Sequence, residues 1–369
     1  MIPFSDPSAS YKSHKGEIDQ AIRRVLDSEW YVLGQEVESF ENKFANFHGP
    51  NLYAVGVANG TDAIALCLRA LRLGTGDEVI TVSHTAVATV AGTEQAGCLP
   101  VLADIDPVTR CICPESALSR ITEKTKAIIP VHIFGQPCDM DKIMKLAKAN
   151  NLLVIEDCSQ AHGAETLGQK VGTFGDLAAY SCYPTKNLGG IGDGGVILCS
   201  TQQQANHLKR LRQYGWDNNR ESIETGVNTR LDEIQAAILR VKLKYLAATN
   251  EKRRQLAKRY DELLSDLPIT LPHRDSKELH AMHLYVIECG DQRDDLMKHL
   301  QEQGIGVSLH YALPVHKHRA YAERISGAAD LPSTETFYGK NLSLPLYPEI
   351  SVRSIERIAS AVRDWFERS

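Results

Sequence analysis

The sequence predicts an α/β protein: a large, mostly parallel seven-stranded sheet with helices on both faces, followed by a small α+β C-terminal domain. Three observations predict it. At 369 residues the chain exceeds what one hydrophobic core usually serves, so one large domain and one smaller domain are expected. From about residue 52 to 200, short β-branched runs alternate with longer amphipathic segments, the pattern of parallel strands joined by crossover helices. Beyond a long helical stretch, from about residue 268, the spacing changes to a shorter mixture of strands and helices.

The seven runs, in order, are YAVGVA, DEVITV, LPVLADI, KAIIPVHI, LLVIED, DLAAYSC and GGVILCS. Between them, Thr61 to Leu73, Thr85 to Gly97 and Asp139 to Asn150 have helical spacing, as does Gln202 to Tyr214 after the last, and several open on a Thr or Asp suited to N-capping. The last two runs lack a full helix between them, which points to antiparallel pairing. Asp232 to Leu264, rich in Ala, Leu, Lys and Arg, reads as one long helix leading into the second domain. The expected division is residues 1–245 for the large domain and 246–369 for the small one. The latter is assembled from LPIT, MHLYVIEC, DQRDDLMKHLQEQG, IGVSLHY and the closing SVRSIERIASAVRDWFERS.

Composition narrows the function classes. With 41 Lys and Arg against 46 Asp and Glu the net charge is -5, and no dense basic run is present to track a phosphate backbone, so nucleic acid is not an expected partner. The N-terminal stretch lacks the apolar core of a signal peptide and no apolar run is long enough to span a bilayer, so a cytoplasmic protein without membrane association is expected. Nine cysteines, an odd and scattered set lying mostly inside apolar runs, read as reduced thiols. Cys111 and Cys113 have no second Cys or His pair at ligand spacing, and no metal site is expected.

The chemistry gathers at strand ends. LLVIEDCSQ ends at Asp157, and ligands of open α/β sheets bind at the carboxyl ends of strands. By itself such an Asp also serves metal sites, ribose contacts or helix caps. Downstream, SCYPTKNLGGIGDGG sets Lys186 after a strand and a proline and before five glycines within seven residues. Such a turn lets backbone approach a ligand closely, and in isolation it is equally a tight hairpin carrying a surface lysine. The glycines follow the lysine, so this is not a phosphate-binding P-loop. Lysine forms imines with carbonyls. Enzymes that use pyridoxal phosphate (PLP) pair that lysine with a carboxylate on the pyridinium nitrogen, and Lys186 and Asp157 supply such a pair. Gly60 and Thr61, at a strand-to-helix junction in ANGTDAI, are placed to bind the phosphate, although a Thr N-cap with a turn glycine describes them equally well.

ANGTDAI, GDEVITVSHTAVAT, IPVHIFGQPCDM, VIEDCSQAHGA, SCYPTKNLGGIGDGG, GVNTRLDEIQAA and GIGVSLHYALPVH, taken together and in this order, resemble the DegT/DnrJ/EryC1/StrS family of sugar aminotransferases. This is a branch of the fold-type-I, aspartate-aminotransferase-like PLP enzymes, and the resemblance covers essentially the whole chain. It implies that Lys186 is the Schiff-base lysine, that Asp157 holds the pyridinium nitrogen, and that Gln160 lies near the ring's phenolic oxygen. It further implies that Gly60, Thr61 and Ser181 hold the phosphate and that Asn228 reaches the cofactor of a neighbouring subunit, giving a homodimer with shared sites. Arg230 is a candidate carboxylate partner for the amino donor, and Tyr183, His310 and His84 are candidate sugar contacts.

The resemblance implies amino-group transfer from an amino acid, L-glutamate by analogy, to a nucleotide-linked keto-deoxysugar. HYALPVH resembles the stretch found in relatives acting on dTDP-linked 3-keto-6-deoxyhexoses, with 4-keto sugars and a non-catalytic PLP-binding regulator as the alternatives. Lysine at position 186, where dehydratases of the family carry histidine, argues for transamination. Two departures stand out: Ala86 occupies the position where many relatives stack an aromatic ring on the cofactor, and Cys182 replaces a phenylalanine.

Overall fold

The computed structural model describes residues 1–368. Three helices that the strand-based reading does not anticipate come first: α1 (Pro7–Ser13), α2 (Lys15–Asp27) and α3 (Gln35–His48). The sheet region follows as β1 (Tyr53–Val57), α4 (Gly60–Ala70), β2 (Glu78–Val82), α5 (Val87–Gln95), β3 (Leu99–Ala103), α6 (Pro114–Ser119), β4 (Thr125–Ile128), α7 (Met140–Ala149) and β5 (Leu153–Asp157). A two-residue hairpin, β6 (Glu165–Thr166) and β7 (Gln169–Lys170), precedes β8 (Leu177–Ser181), β9 (Gly195–Cys199) and α8 (Gln202–Leu211).

The sheet has seven strands in the order β1-β9-β8-β5-β4-β2-β3. β9 pairs antiparallel with both β1 and β8, and the other pairs are parallel, so only β9 opposes the common direction. The antiparallel β8–β9 pair is the one expected from the missing helix. Both faces are covered, which is why the strands read as continuous apolar runs. Alternate residues of β8 divide between the faces. Leu177 and Ala179 meet Ile64 and Leu68 of α4, while Ala178 and Tyr180 meet Phe40 and Phe44 of α3.

The stretch expected as one helix is two, α9 (Glu233–Leu243) and α10 (Leu246–Leu264), broken at Lys244 and Tyr245. Neither Gly nor Pro marks the break. Its physical reason is that the halves bury different faces: Ala237, Ile238 and Val241 of α9 against Ile18 and Val25 of α2, and Leu256, Tyr260 and Leu264 of α10 in a second apolar cluster. That cluster also holds residues of β10 (Tyr285–Glu288), α11 (Arg293–Glu302), β11 (Asn341–Leu344) and α13 (Val352–Arg368), with α12 (Pro332–Tyr338) lying between α11 and β11 in sequence. β10 and β11 form an antiparallel pair, and Ile2 joins their cluster from the N-terminus.

Candidate active site

Parallel strands deliver their carboxyl ends to one edge, and there Asp157 from the end of β5, Ser181 from the end of β8, the start of α4 and the start of α5 surround a pocket of about 260 Å³. Gly60, Thr61, Asp157, Gln160, Ser181, Tyr183 and Lys186 all line it, so seven of the residues singled out from sequence meet in one cavity.

At one end lies the N-terminus of α4, whose first N–H groups and dipole attract an anion. Its cap is Asn59, which accepts the Asp62 N–H at 2.9 Å; Thr61 therefore sits inside the first turn rather than capping it. Gly60 is required by close approach. A Cβ there would lie 2.6 Å from the Ser181 Cβ and 3.1 Å from its Cα, where ordinary carbon contacts are about 3.5–4 Å.

Loss of solvent around the Lys186 amine lowers its pKa from 10.5 to about 8, against the Asp157 charge, which raises it. Its backbone is held from several sides. The Lys186 N–H donates to the Tyr183 carbonyl at 2.8 Å. Asn187 donates to Asn250 Oδ1 and to the Ala281 carbonyl, both at 2.8 Å. The glycine turn that follows is clamped by α9. Gln235 bonds both polar groups of the Ile191 backbone, at 2.9 and 2.8 Å, and Lys242 donates to the Gly189 carbonyl at 2.8 Å. The same helix begins with Glu233, whose carboxylate accepts the N–H groups of Gly34, Glu36 and Val37 at 2.8–2.9 Å and so anchors α3.

Asp157 accepts the Thr89 hydroxyl at 2.8 Å and the Ser159 N–H at 3.1 Å. Beside it, Glu156 is saturated by the N–H groups of Gly172, Phe174 and Gly175 and by His132 Nε2 at 3.1 Å. His132 Nδ1 accepts the Cys138 N–H at 3.0 Å, so the ring proton sits on Nε2 and points at Glu156. His132, Glu156 and Cys158 lie close enough together to suggest a metal cage, but this pairing accounts for the histidine and the carboxylate as a buried scaffold under the site. Gln160 is gripped at both ends, accepting the Phe134 N–H and donating to the Tyr311 hydroxyl, each at 2.7 Å.

The remaining candidates lie outside this cavity. His84 is buried, edge-on to Phe134 and Phe337 with ring centroids at 5.4 and 4.8 Å, and burial lowers its pKa to about 3. His310 pairs with the Ser343 hydroxyl at 2.9 Å. Burial, and secondarily the charge of Lys186, bring its pKa to about 4. Asn228 is exposed and Arg230 half-buried, both away from the pocket of their own chain. Thr229 between them donates to Asp62 at 2.6 Å and accepts the Ala58 N–H at 3.1 Å, tying this segment to the start of α4. Asp193, Thr85, Ser159 and Ala88 also line the pocket without having been singled out from the sequence. Asp193 was open to notice because it falls within the glycine turn. Ala86 lines it as well, so a methyl group stands where the sequence resemblance leads one to expect an aromatic ring.

This donor set fits PLP: an amine for the aldehyde carbon, a carboxylate for the ring nitrogen, and a helix start with hydroxyls for the phosphate, drawn close against Ser181 by the lack of a side chain at Gly60. Fold and site together define an aminotransferase of the fold-type-I PLP class.

The model of the DegT/DnrJ/EryC1/StrS aminotransferase family matches residues 12–363, and the chain belongs to that family. It is 44% identical over 362 residues to the dTDP-3-amino-3,6-dideoxy-α-D-galactopyranose transaminase of Aneurinibacillus thermoaerophilus, covering 98% of this chain and 99% of that one. Among solved structures it resembles DesV of S. venezuelae in complex with a ketimine intermediate, with a TM-score of 0.96, 40% identity and coverage of 100% and 99% of the two chains. It also resembles NtdA of Bacillus subtilis with bound cofactor PMP, with a TM-score of 0.89, 31% identity and coverage of 96% and 82%. PLP is the cofactor, and the chain is a sugar-nucleotide transaminase.

Proposed function

We propose that this enzyme moves an amino group from L-glutamate to C3 of a dTDP-linked 3-keto-6-deoxyhexose. The observation that carries amino transfer is the convergence of Lys186, Asp157 and the start of α4 on one pocket. The choice of C3 is supported by the HYALPVH stretch and by the 3-amino sugar named for the galactopyranose relative. PLP when bound supplies an electron sink that makes protons on the attached carbon labile.

The chain's own residues do the rest. Lys186 binds the cofactor covalently and moves the proton between substrate and cofactor, for which a pKa of about 8 leaves a useful neutral fraction near physiological pH. Asp157 holds the ring nitrogen, Gln160 stands near the phenolic oxygen, and Gly60, Thr61 and Ser181 bind the phosphate. Tyr183 and His310 contact the sugar nucleotide. Arg230 receives the donor carboxylate. His84 packs edge-on against Phe134 and Tyr311, the two residues that grip Gln160, and so acts on the pocket indirectly.

The assembly is a homodimer in which Asn228, exposed in its own chain, completes the partner's phosphate site. The exposed Trp30, Tyr31 and Val32 offer apolar surface for that contact. The domains divide at 245/246, where α9 gives way to α10. No helix among the described residues is long and apolar enough to cross a membrane.

The deciding assay offers glutamate with the 3-keto and the 4-keto dTDP-6-deoxyhexoses and follows the aminated product by mass. Product from the 3-keto sugar is expected; exclusive use of the 4-keto sugar overturns the regiochemistry. Borohydride reduction should place the cofactor on Lys186, and label on another lysine overturns the site.

A further inference from the structure

Asp157 is held from behind by a one-way chain of hydroxyls. A threonine hydroxyl has a single proton, and that of Thr89 goes to Asp157 Oδ2 at 2.8 Å. In the 2.8 Å contact between Thr85 and Thr89 the donor must therefore be Thr85. The chain runs from Thr85 to Thr89 to Asp157, and all three are buried, at 2%, 0% and 4% exposure. Thr85 stands just before Ala86, the cap of α5, and Thr89 lies in the helix's first turn, so the chain entering the helix folds the two hydroxyls together. Thr93, a further turn on, donates to the Thr89 carbonyl at 2.9 Å.

A buried carboxylate needs donors to satisfy its oxygens, and each hydrogen bond it accepts restricts how the group can turn. We propose that Thr89 is a positioning residue for the cofactor: by donating to Asp157, with Thr85 polarising that donor, it fixes the carboxylate as the acceptor for the ring nitrogen. The proposal rests on the assignment of Asp157 to that nitrogen. Thr89 touches neither cofactor nor substrate in this scheme. It acts through Asp157, and in its absence Oδ2 of that carboxylate loses the hydroxyl that donates to it.

The test uses the full-length apoprotein and pyridoxamine 5′-phosphate, which cannot bond covalently to Lys186, titrated by protein fluorescence. A hydrogen bond to a charged group is worth enough that Thr89→Val should weaken binding by about tenfold or more. Thr89→Ser, which keeps the hydroxyl, should restore most of it, and Thr85→Val should show a smaller loss in the same direction. In a Asp157→Ala background, Thr89→Val should add nothing.

Thr89→Val binding like the wild type while Asp157→Ala is weakened overturns the proposal. So does an undiminished effect of Thr89→Val in the Asp157→Ala background, which would mark a purely structural role. Wild-type binding by Asp157→Ala would instead overturn the Asp157 assignment, and the proposal with it. If Thr89→Val does not fold, the Ser and Thr85→Val variants carry the same comparison, with apoprotein melting temperatures as the check on folding.

Discussion

Replacing Gly60 by alanine tests the phosphate cradle with a single methyl group. The new Cβ would lie 2.6 Å from the Ser181 Cβ and 3.1 Å from its Cα. Relief to an ordinary contact requires the start of α4 and the end of β8 to separate by about 1 Å. Neither can yield cheaply, since Ser181 is the last residue of a strand paired with β9 and α4 is buried along most of its length. Overpacking of this kind costs about 1–3 kcal/mol of stability. The larger effect falls on the ligand, because a misplacement of about 1 Å in a positioned site costs on the order of a hundredfold. The assay compares pyridoxamine 5′-phosphate with pyridoxamine, which lacks the phosphate, on apoprotein that retains a cooperative melt. Gly60→Ala should weaken the phosphorylated ligand steeply and the unphosphorylated one little. Equal loss for both, or none for either, refutes the assignment of this junction to the phosphate.

Four further outcomes are expected. The Lys186 pKa of about 8 predicts that the rate of PLP uptake by apoprotein rises with pH and levels off above that value. Because the folded pKa lies below the ordinary 10.5, stability should increase between about pH 8 and 10.5, where the unfolded chain binds more protons, and Lys186→Met should remove that slope in an equilibrium urea series. Glu233→Ala strips an acceptor from three backbone N–H groups at the start of α3 and should destabilise by about 3 kcal/mol or more in denaturant unfolding; a loss under about 0.5 kcal/mol contradicts the anchoring role. Mixing and refolding Lys186→Ala with Asn228→Ala should regain activity absent from either alone, since each mixed dimer then holds one intact site, and no recovery would argue against sites shared between subunits.

The strands and their order of use were legible because both faces of the sheet are covered, which makes each run continuously apolar, and strand ends are where an α/β fold presents its ligands. Asp157, Lys186, Gly60 and Ser181 all sit at such ends. The N-terminal helices were legible too, since Ile18, Ala21, Ile22 and Val25 recur at helical spacing, but attention to β-branched runs passes over them. The break at Lys244 and Tyr245 carries no local mark; it comes from the partners each half meets. Tertiary contact also decides the histidines and threonines. Nothing near His84 in sequence says that Phe134 and Phe337 will enclose it, and Gln160 and Tyr311 are joined across 151 residues of chain. Thr89 looks like any polar residue on an amphipathic helix until β5 is laid beside it.

One helix, α9, touches no substrate, yet it grips the N-terminal helix α3 with its first residue and the lysine-bearing turn with Gln235 and Lys242. That makes it a mechanical linkage between a remote surface and the Lys186 amine. Lesions among the first fifty residues should therefore be read out as a loosened cofactor before they are read out as lost fold, and a colour change in the holoenzyme becomes a gauge of how firmly that distant edge is seated.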